Sequence, residues 1–129
     1  MKGMRILIIE DSDSISRMIE ALVSGRGHVV TAVPSGSKGL ELAFANVPDV
    51  VLLDLNLPGS YDGYEVCRRL RAEPLTKSIP VLIISALDDE ESKRMASEAG
   101  ANGYYTKPFS PMALLKEIES VRIRHHSNA

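Results

Sequence analysis

Val50-Val51-Leu52-Leu53-Asp54 is the stretch from which the fold of this chain can be read. Four consecutive apolar residues, two of them β-branched, end in a carboxylate, and Leu55-Asn56-Leu57-Pro58-Gly59 then breaks the run. A short apolar run without alternation, bounded by turn residues, reads as a strand buried on both faces, the form strands take inside a parallel sheet. Asp54 then falls at the C-terminal end of that strand, where open α/β sheets hold their ligands. A lone Asp there needs no more explanation than a solvated strand end. A second acidic group at the end of a neighbouring strand changes that reading.

Working outward, Ile6-Leu7-Ile8-Ile9 is another run of the same kind, stopped by Glu10-Asp11, and Val81-Leu82-Ile83-Ile84 is a third, stopped by Ser85. His28 to Val33 and Gly103-Tyr104-Tyr105-Thr106 read as two further, more polar strands. Helical patterns lie between them. Ser12-Asp13-Ser14 offers caps for a helix with Ile15, Met18, Ile19, Leu22 and Val23 on one face, ended by Gly25 and Gly27. Pro34-Ser35-Gly36 turns into a helix through Leu40 and Ala43 that closes before Pro48, weakened on propensity by Gly36 and Gly39. A third helix is expected from about Tyr64 to Arg71. Asp88 followed by Glu91 reads as a capping box for a fourth, with Met95, Ala96 and Ala99 inward and a stop at Gly100. Ser110-Pro111 opens a closing helix with Leu114, Leu115, Ile118 and Val121 on one side. Residues 1–124 are expected to form the domain, and 125–129 a polar, fraying tail.

Strands alternating with helices require crossover connections and hence a parallel sheet covered on both faces. The fold class is therefore α/β, a doubly wound (βα)5 three-layer sandwich. With the first, third and fourth strands fully apolar, they are the interior ones, which fits the flavodoxin-like order 2-1-3-4-5.

A length of 129 residues suits a single domain with a real core. The net charge of −2 gives no basic excess, so neither nucleic acid nor an anionic membrane surface is an expected partner. Cys67 is the only cysteine, which rules out an internal disulfide and suits a reduced, cytoplasmic setting. No apolar run approaches the roughly 18 residues that span a bilayer, and the amino end carries no signal-type apolar segment.

In that strand order Glu10, Asp11 and Asp54 converge at one rim. Carboxylates held a few ångströms apart repel, so one of them must bind its proton more tightly or the group must recruit a cation. Mg²⁺ is the natural relief, being a hard ion that takes one or two carboxylates with waters and phosphate oxygens; Mn²⁺ is a substitute. Ser85 and Lys107, at the ends of the fourth and fifth strands, add a hydroxyl and an ammonium to the same crevice. A carboxylate nucleophile beside a metal, a hydroxyl and a lysine suits phosphoryl transfer to Asp54. Pro108 after Lys107 is a candidate for a cis bond.

These motifs together resemble the receiver domain of two-component response regulators, of the chemotaxis-regulator-like kind. The resemblance runs from Ile6-Leu7-Ile8-Ile9-Glu10-Asp11 through Asp54-Leu55-Asn56-Leu57-Pro58-Gly59 and Asp62-Gly63 to Ser85-Ala86 and Lys107-Pro108-Phe109. It implies that Asp54 accepts a phosphoryl group from a histidine kinase, a phosphotransfer protein or a small phosphodonor. It also implies that Asp11, Asp54 and the Asn56 carbonyl ligate Mg²⁺, with Glu10 assisting, and that Ser85, the Ala86 amide and Lys107 hold the phosphoryl oxygens. Tyr105 takes the place of the family's switch aromatic, so that phosphorylation reshapes the surface of the fourth helix, fifth strand and fifth helix. That surface would serve a downstream protein, an output domain or a second copy of the chain. Such a protein is a switch, not a turnover enzyme. The alternative is a degenerate receiver that only docks other proteins. A flavin carrier is disfavoured by acids where a phosphate needs an amide loop. A phosphatase is disfavoured because Asn56 stands where a second carboxylate would serve as acid and base. Two departures from the family pattern stand out: Glu10 in place of the commoner aspartate, and a Gly59 to Gly63 loop one residue longer than usual.

Overall fold

The computed structural model describes residues 3–127. Its strands are β1 (Arg5–Ile9), β2 (Val29–Val33), β3 (Val50–Leu53), β4 (Val81–Ser85) and β5 (Gly103–Thr106), all parallel, in the order β2-β1-β3-β4-β5. The helices α1 (Asp13–Ser24), α2 (Gly36–Ala45), α3 (Gly63–Ala72), α4 (Glu90–Ala99) and α5 (Pro111–Ser127) alternate with them. The expected fold class is the one observed. β3 and β4 are buried along their whole length and β1 at all but its first residue. The unalternating apolar runs thus mark strands covered on both faces.

Two apolar layers follow from strand alternation. Leu7, Ile9, Val51, Leu53, Val81 and Ile83 face α2, α3 and α4, where Leu40, Val66, Leu70 and Ala96 close the layer. Ile6, Ile8, Val50, Leu52, Leu82 and Ile84 face α1 and α5, meeting Ile19, Val23, Leu114 and Ile118. At about 1.5–3 kcal/mol per large apolar side chain removed from water, these layers dominate the stability of the fold.

Gly36 and Gly39, unfavourable by helix propensity, are both buried in α2. A Cβ on Gly39 would lie 2.3 Å from Cδ1 of Ile9, so the absence of a side chain is what lets α2 lie on the sheet.

Some expectations are corrected. Met18 and Met95 are 41% and 37% exposed, so they fall outside the buried faces of α1 and α4, while Ser92 is buried beside Ala96. The cap of α4 is Asp89 and not Asp88: its carboxylate accepts from the Ser92 amide at 2.9 Å and the Ser92 hydroxyl at 2.8 Å. The inward row is Ser92, Ala96 and Ala99, at i, i+4 and i+7, so Ala96 and Ala99 lie inward as expected and Met95 falls one position off the row. The backbone at 125–127 continues α5, so that part of the expected tail is helical. Asn128 and Ala129 lie outside the described residues. No described helix is long and apolar enough to cross a membrane.

Candidate functional site

The carboxyl ends of the strands assemble the site because each ladder is prolonged by one bond past its strand. The Glu10 amide donates to the Val33 carbonyl at 3.0 Å, the Asp54 amide to the Ile9 carbonyl at 2.9 Å, and the Lys107 amide to the Ser85 carbonyl at 2.7 Å. Three residues far apart in sequence are thereby held on one rim by backbone bonds alone. Asp11 follows Glu10 and is exposed, whereas Glu10 and Asp54 are 3% and 4% exposed.

Gly63 completes the wall. Its amide donates to the Leu55 carbonyl at 2.9 Å, and a Cβ there would lie 2.3 Å from the Asp54 carbonyl oxygen. Only glycine allows α3 to begin against the segment that carries Asp54. Asp62 caps that helix through the Glu65 amide at 2.9 Å, and the loop before it is pinned where Arg69 stacks over the Tyr61 ring at 4.2 Å.

Glu10, Asp11 and Asp54 each present an oxygen within 4.8 Å of the others. Lys107 Nζ lies 2.6 Å from Glu10 Oε1 and 3.6 Å from Asp54 Oδ2. Three carboxylates against one ammonium leave two negative charges uncompensated, an imbalance that a divalent cation with oxygen preference matches in sign, size and donor type. The strain is visible in Asp54, whose pKa is pushed up to about 6, first by burial and next by the neighbouring Glu10 carboxylate. Lys107 and the Asn56 amide, 3.4 Å from Oδ1, pull the other way and do not offset it. The Lys107-Pro108 bond is cis.

Ser85 is fully buried at the end of β4, its Oγ accepting from the Leu87 amide at 3.1 Å, with exposed Ala86 between them. An accepting hydroxyl still has its proton to donate. The aromatic beside it is Tyr104: its hydroxyl donates to the Leu87 carbonyl at 2.6 Å, and burial pushes its pKa up while Ser85 pulls it down. Tyr105 instead packs in the layer with Leu82, Ile84 and Leu114. The expected switch position is therefore corrected. In the register Ile83↔Tyr104 and Ser85↔Thr106, alternation puts Tyr104 on the Ser85 face and Tyr105 on the opposite one. Period-two parity was the available signal, but only the sheet pairing says which tyrosine shares a face with Ser85.

The response regulator receiver domain family matches residues 6–119. The chain is a response regulator receiver domain. Protein PilH of Pseudomonas aeruginosa is 38% identical over 117 residues, 91% of this chain and 96% of that protein. Other curated relatives are longer: the receiver domain spans 26% of one that is 35% identical to it and 48% of another that is 40% identical. Among solved structures, a response regulator from Chloroflexus aurantiacus J-10-fl superposes with a TM-score of 0.89 at 38% identity, covering 95% of this chain and 99% of that one. The receiver domain of the sensor histidine kinase PA1611 from Pseudomonas aeruginosa PAO1, with a magnesium ion coordinated in its active site cleft, superposes with a TM-score of 0.84 at 30% identity. That match covers 92% of this chain and 96% of that one. The acid cluster of the present receiver domain lies at the strand ends of the same fold.

Proposed function

We propose that this receiver domain is a phosphorylation-controlled switch in which Asp54 is the phosphoacceptor. A carboxylate oxygen of Asp54 attacks the phosphorus of a phosphohistidine or small phosphodonor; the P–N or P–O bond of the donor breaks, and its electron pair leaves with the imidazole or acid. The observation that carries this reading is the meeting of Glu10, Asp11 and Asp54 within 4.8 Å, with Lys107 seated between two of them. Asp11, Asp54 and the Asn56 carbonyl, with Glu10, would hold Mg²⁺, which supplies positive charge to the phosphoryl oxygens. Lys107, the Ser85 hydroxyl and the Ala86 amide would hold the same oxygens. Burial and Glu10 leave the Asp54 carboxylate poorly compensated, and Mg²⁺ with Lys107 would offset that charge together with the charge of the phosphoryl oxygens.

Phosphorylation then acts on the β4–α4 connection. Ser85 Oγ and Tyr104 both bond to Leu87, so drawing Ser85 toward a phosphoryl group pulls on the loop that leads into α4. The surface of α4, β5 and α5 is what a downstream protein, an output domain or a second copy of the chain would read. A sensor histidine kinase or phosphotransfer protein is the donor, and the setting is the cytoplasm. The chain assists its own phosphorylation and dephosphorylation without being a turnover enzyme.

Incubation with Mg²⁺ and a small phosphodonor tests the proposal. An acid-stable, alkali-labile phosphate absent from Asp54→Asn is the expected result; labelling that survives the substitution refutes it. Asp11→Ala should weaken Mg²⁺ binding, and an unchanged affinity would remove Asp11 from the ligand set.

A further inference from the structure

Arg71, half-buried in the last turn of α3, is a charge without a counter-charge. Among the described residues no carboxylate pairs with it, and burial pushes its pKa down. All the N–H donors of its guanidinium go instead to oxygens of three other segments. Nε and Nη2 donate to the Gly100 carbonyl at 3.0 and 2.8 Å, and Nη1 to the carbonyls of Lys77 and Ile79 at 3.2 and 2.7 Å. Nη2 also donates to Asn102 Oδ1 at 2.8 Å, an oxygen that accepts from the Val81 amide as well. One side chain thereby joins the ends of α3 and α4 to the segments that lead into β4 and β5. Helix α4 needs this from outside, because its own last turn carries no basic residue to meet the carbonyls at its negative end. Its cap Gly100 has φ 106°, and a Cβ there would lie 2.8 Å from Arg71 Cγ, so glycine is required for conformation and for space. The other end of α4 is held more weakly. The inward row of Ser92, Ala96 and Ala99 consists of small side chains that bury little apolar area. The Tyr64 hydroxyl of α3 reaches the Ser92 carbonyl only at 3.4 Å, longer than an ordinary O–H···O bond, and Asp88, Asp89, Glu90 and Glu91 are all exposed.

We propose that Arg71 makes the C-terminal end of α4 a fixed pivot, so that α4 moves by tilting about Gly100 with its first turn as the free end. Helix α3 is the frame of this motion: Gly63 ties its start to the Asp54 segment, and Arg71 ties its end to α4. At about 1.5 Å of rise per residue, α4 is a lever of roughly 15 Å, and a tilt of about 10° carries its first turn about 2.5 Å while Gly100 stays in place. A pull from Ser85 through Leu87 enters at the free end of this lever. Use of the pivot in signalling rests on the phosphoacceptor reading of Asp54; the pivot itself does not.

Amide hydrogen exchange on the metal-free full chain measures the pivot directly. The amides of Gly100 and Ala101, which bond back to Ser97 and Ala96, should exchange at least tenfold more slowly than those of Lys93 and Arg94. Arg71→Lys, which keeps the charge and loses the fork, and Arg71→Met should each speed Gly100 and Ala101 at least tenfold while changing Lys93 and Arg94 less than twofold. A wild-type chain without this gradient overturns the proposal. So does an acceleration in the variants that reaches Leu52 and Leu53 of β3 equally, since Arg71 would then only support the fold. A second measurement follows the motion. Nitroxides on Glu20→Cys in α1 and on either Glu90→Cys or Ser97→Cys in α4, all exposed positions, give distances by pulsed electron paramagnetic resonance, with Cys67 buried out of reach of the label. On adding Mg²⁺ and beryllium fluoride, which stands in for a phosphoryl group, the distance to position 90 should change about three times as much as that to position 97, in proportion to their separation from Gly100. In Arg71→Lys this ratio should fall toward one. Equal changes with Arg71 intact, or uptake of beryllium fluoride with neither distance changed, overturn the proposal. A domain that takes up no beryllium fluoride, read from an unmoved Asn56 amide resonance, refutes the phosphoacceptor reading instead, and the exchange gradient then decides the pivot by itself.

Discussion

Replacing Asp54 with Asn should stabilise the metal-free domain while abolishing its chemistry. The Asp54 carboxyl, 6% exposed, has its pKa raised from 3.8 to about 6 by burial and by Glu10, with Lys107 opposing. A carboxyl whose folded pKa exceeds its unfolded one binds more protons in the folded state. Stability therefore falls as pH rises from about 4 to about 6 and stays reduced above that. Two pKa units at 1.36 kcal/mol each set a ceiling of about 3 kcal/mol. The rim is open to water beside exposed Asp11, and screening there reduces the figure to about 1–2 kcal/mol. Asn keeps the shape and the acceptor for the Asn56 amide but carries no charge. At pH 7.5 in chelator, Asp54→Asn should therefore unfold roughly 4–8 °C above wild type, or at a higher denaturant midpoint with unchanged slope. The gap should narrow to about a third by pH 4.5 and approach zero only below about pH 3.8, where Asp54 is protonated in the unfolded chain as well. Saturating Mg²⁺ should raise the wild-type midpoint and leave the variant nearly unmoved. Equal midpoints at pH 7.5, or a gap independent of pH, would refute the view that uncompensated charge strains this rim.

Other outcomes follow from single contacts. Gly63→Ala places a Cβ 2.3 Å from the Asp54 carbonyl oxygen and should cost about 1–3 kcal/mol in denaturant unfolding, with weaker Mg²⁺ binding because the Asp54 segment must shift. Asp89→Ala removes the cap of α4 and should cost about 1 kcal/mol, while Asp88→Ala should stay within about 0.5 kcal/mol; the reverse order would restore Asp88 as the cap. Tyr104→Phe removes the bond to the Leu87 carbonyl, worth about 1 kcal/mol, and should speed hydrogen exchange of the Leu87 amide roughly fivefold. Tyr105→Phe should leave that exchange rate unchanged.

Much of this protein was legible in its residues. Unalternating runs at Ile6, Val50 and Val81 named the interior strands, because a strand covered on both faces cannot afford polar alternation. Their order then placed Glu10, Asp11, Asp54, Ser85 and Lys107 at strand ends that the fold brings to one side. The cap at Ser12 is a local signal and was readable as such, Ser35 and Asp62 were identified as caps only by the structure, and two adjacent acids at Asp88 and Asp89 left the start of α4 one residue open.

Tertiary structure alone decided the rest. Two consecutive tyrosines point to opposite faces in any strand, yet only pairing of β5 with β4 puts Tyr104 beside Ser85 and Tyr105 in the layer with α5. The glycines of α2 weaken a helix by propensity and are required by its contact with Ile9, a distance that no local pattern encodes. Lys107 was expected to face the acid cluster, but which acid holds it depends on an ångström of side-chain reach across the rim. Composition and periodicity determine which residues must be buried and in what elements. Register, close approach and the partner of a charge are differences between competing contacts in three dimensions, and they exist only once the layers have packed.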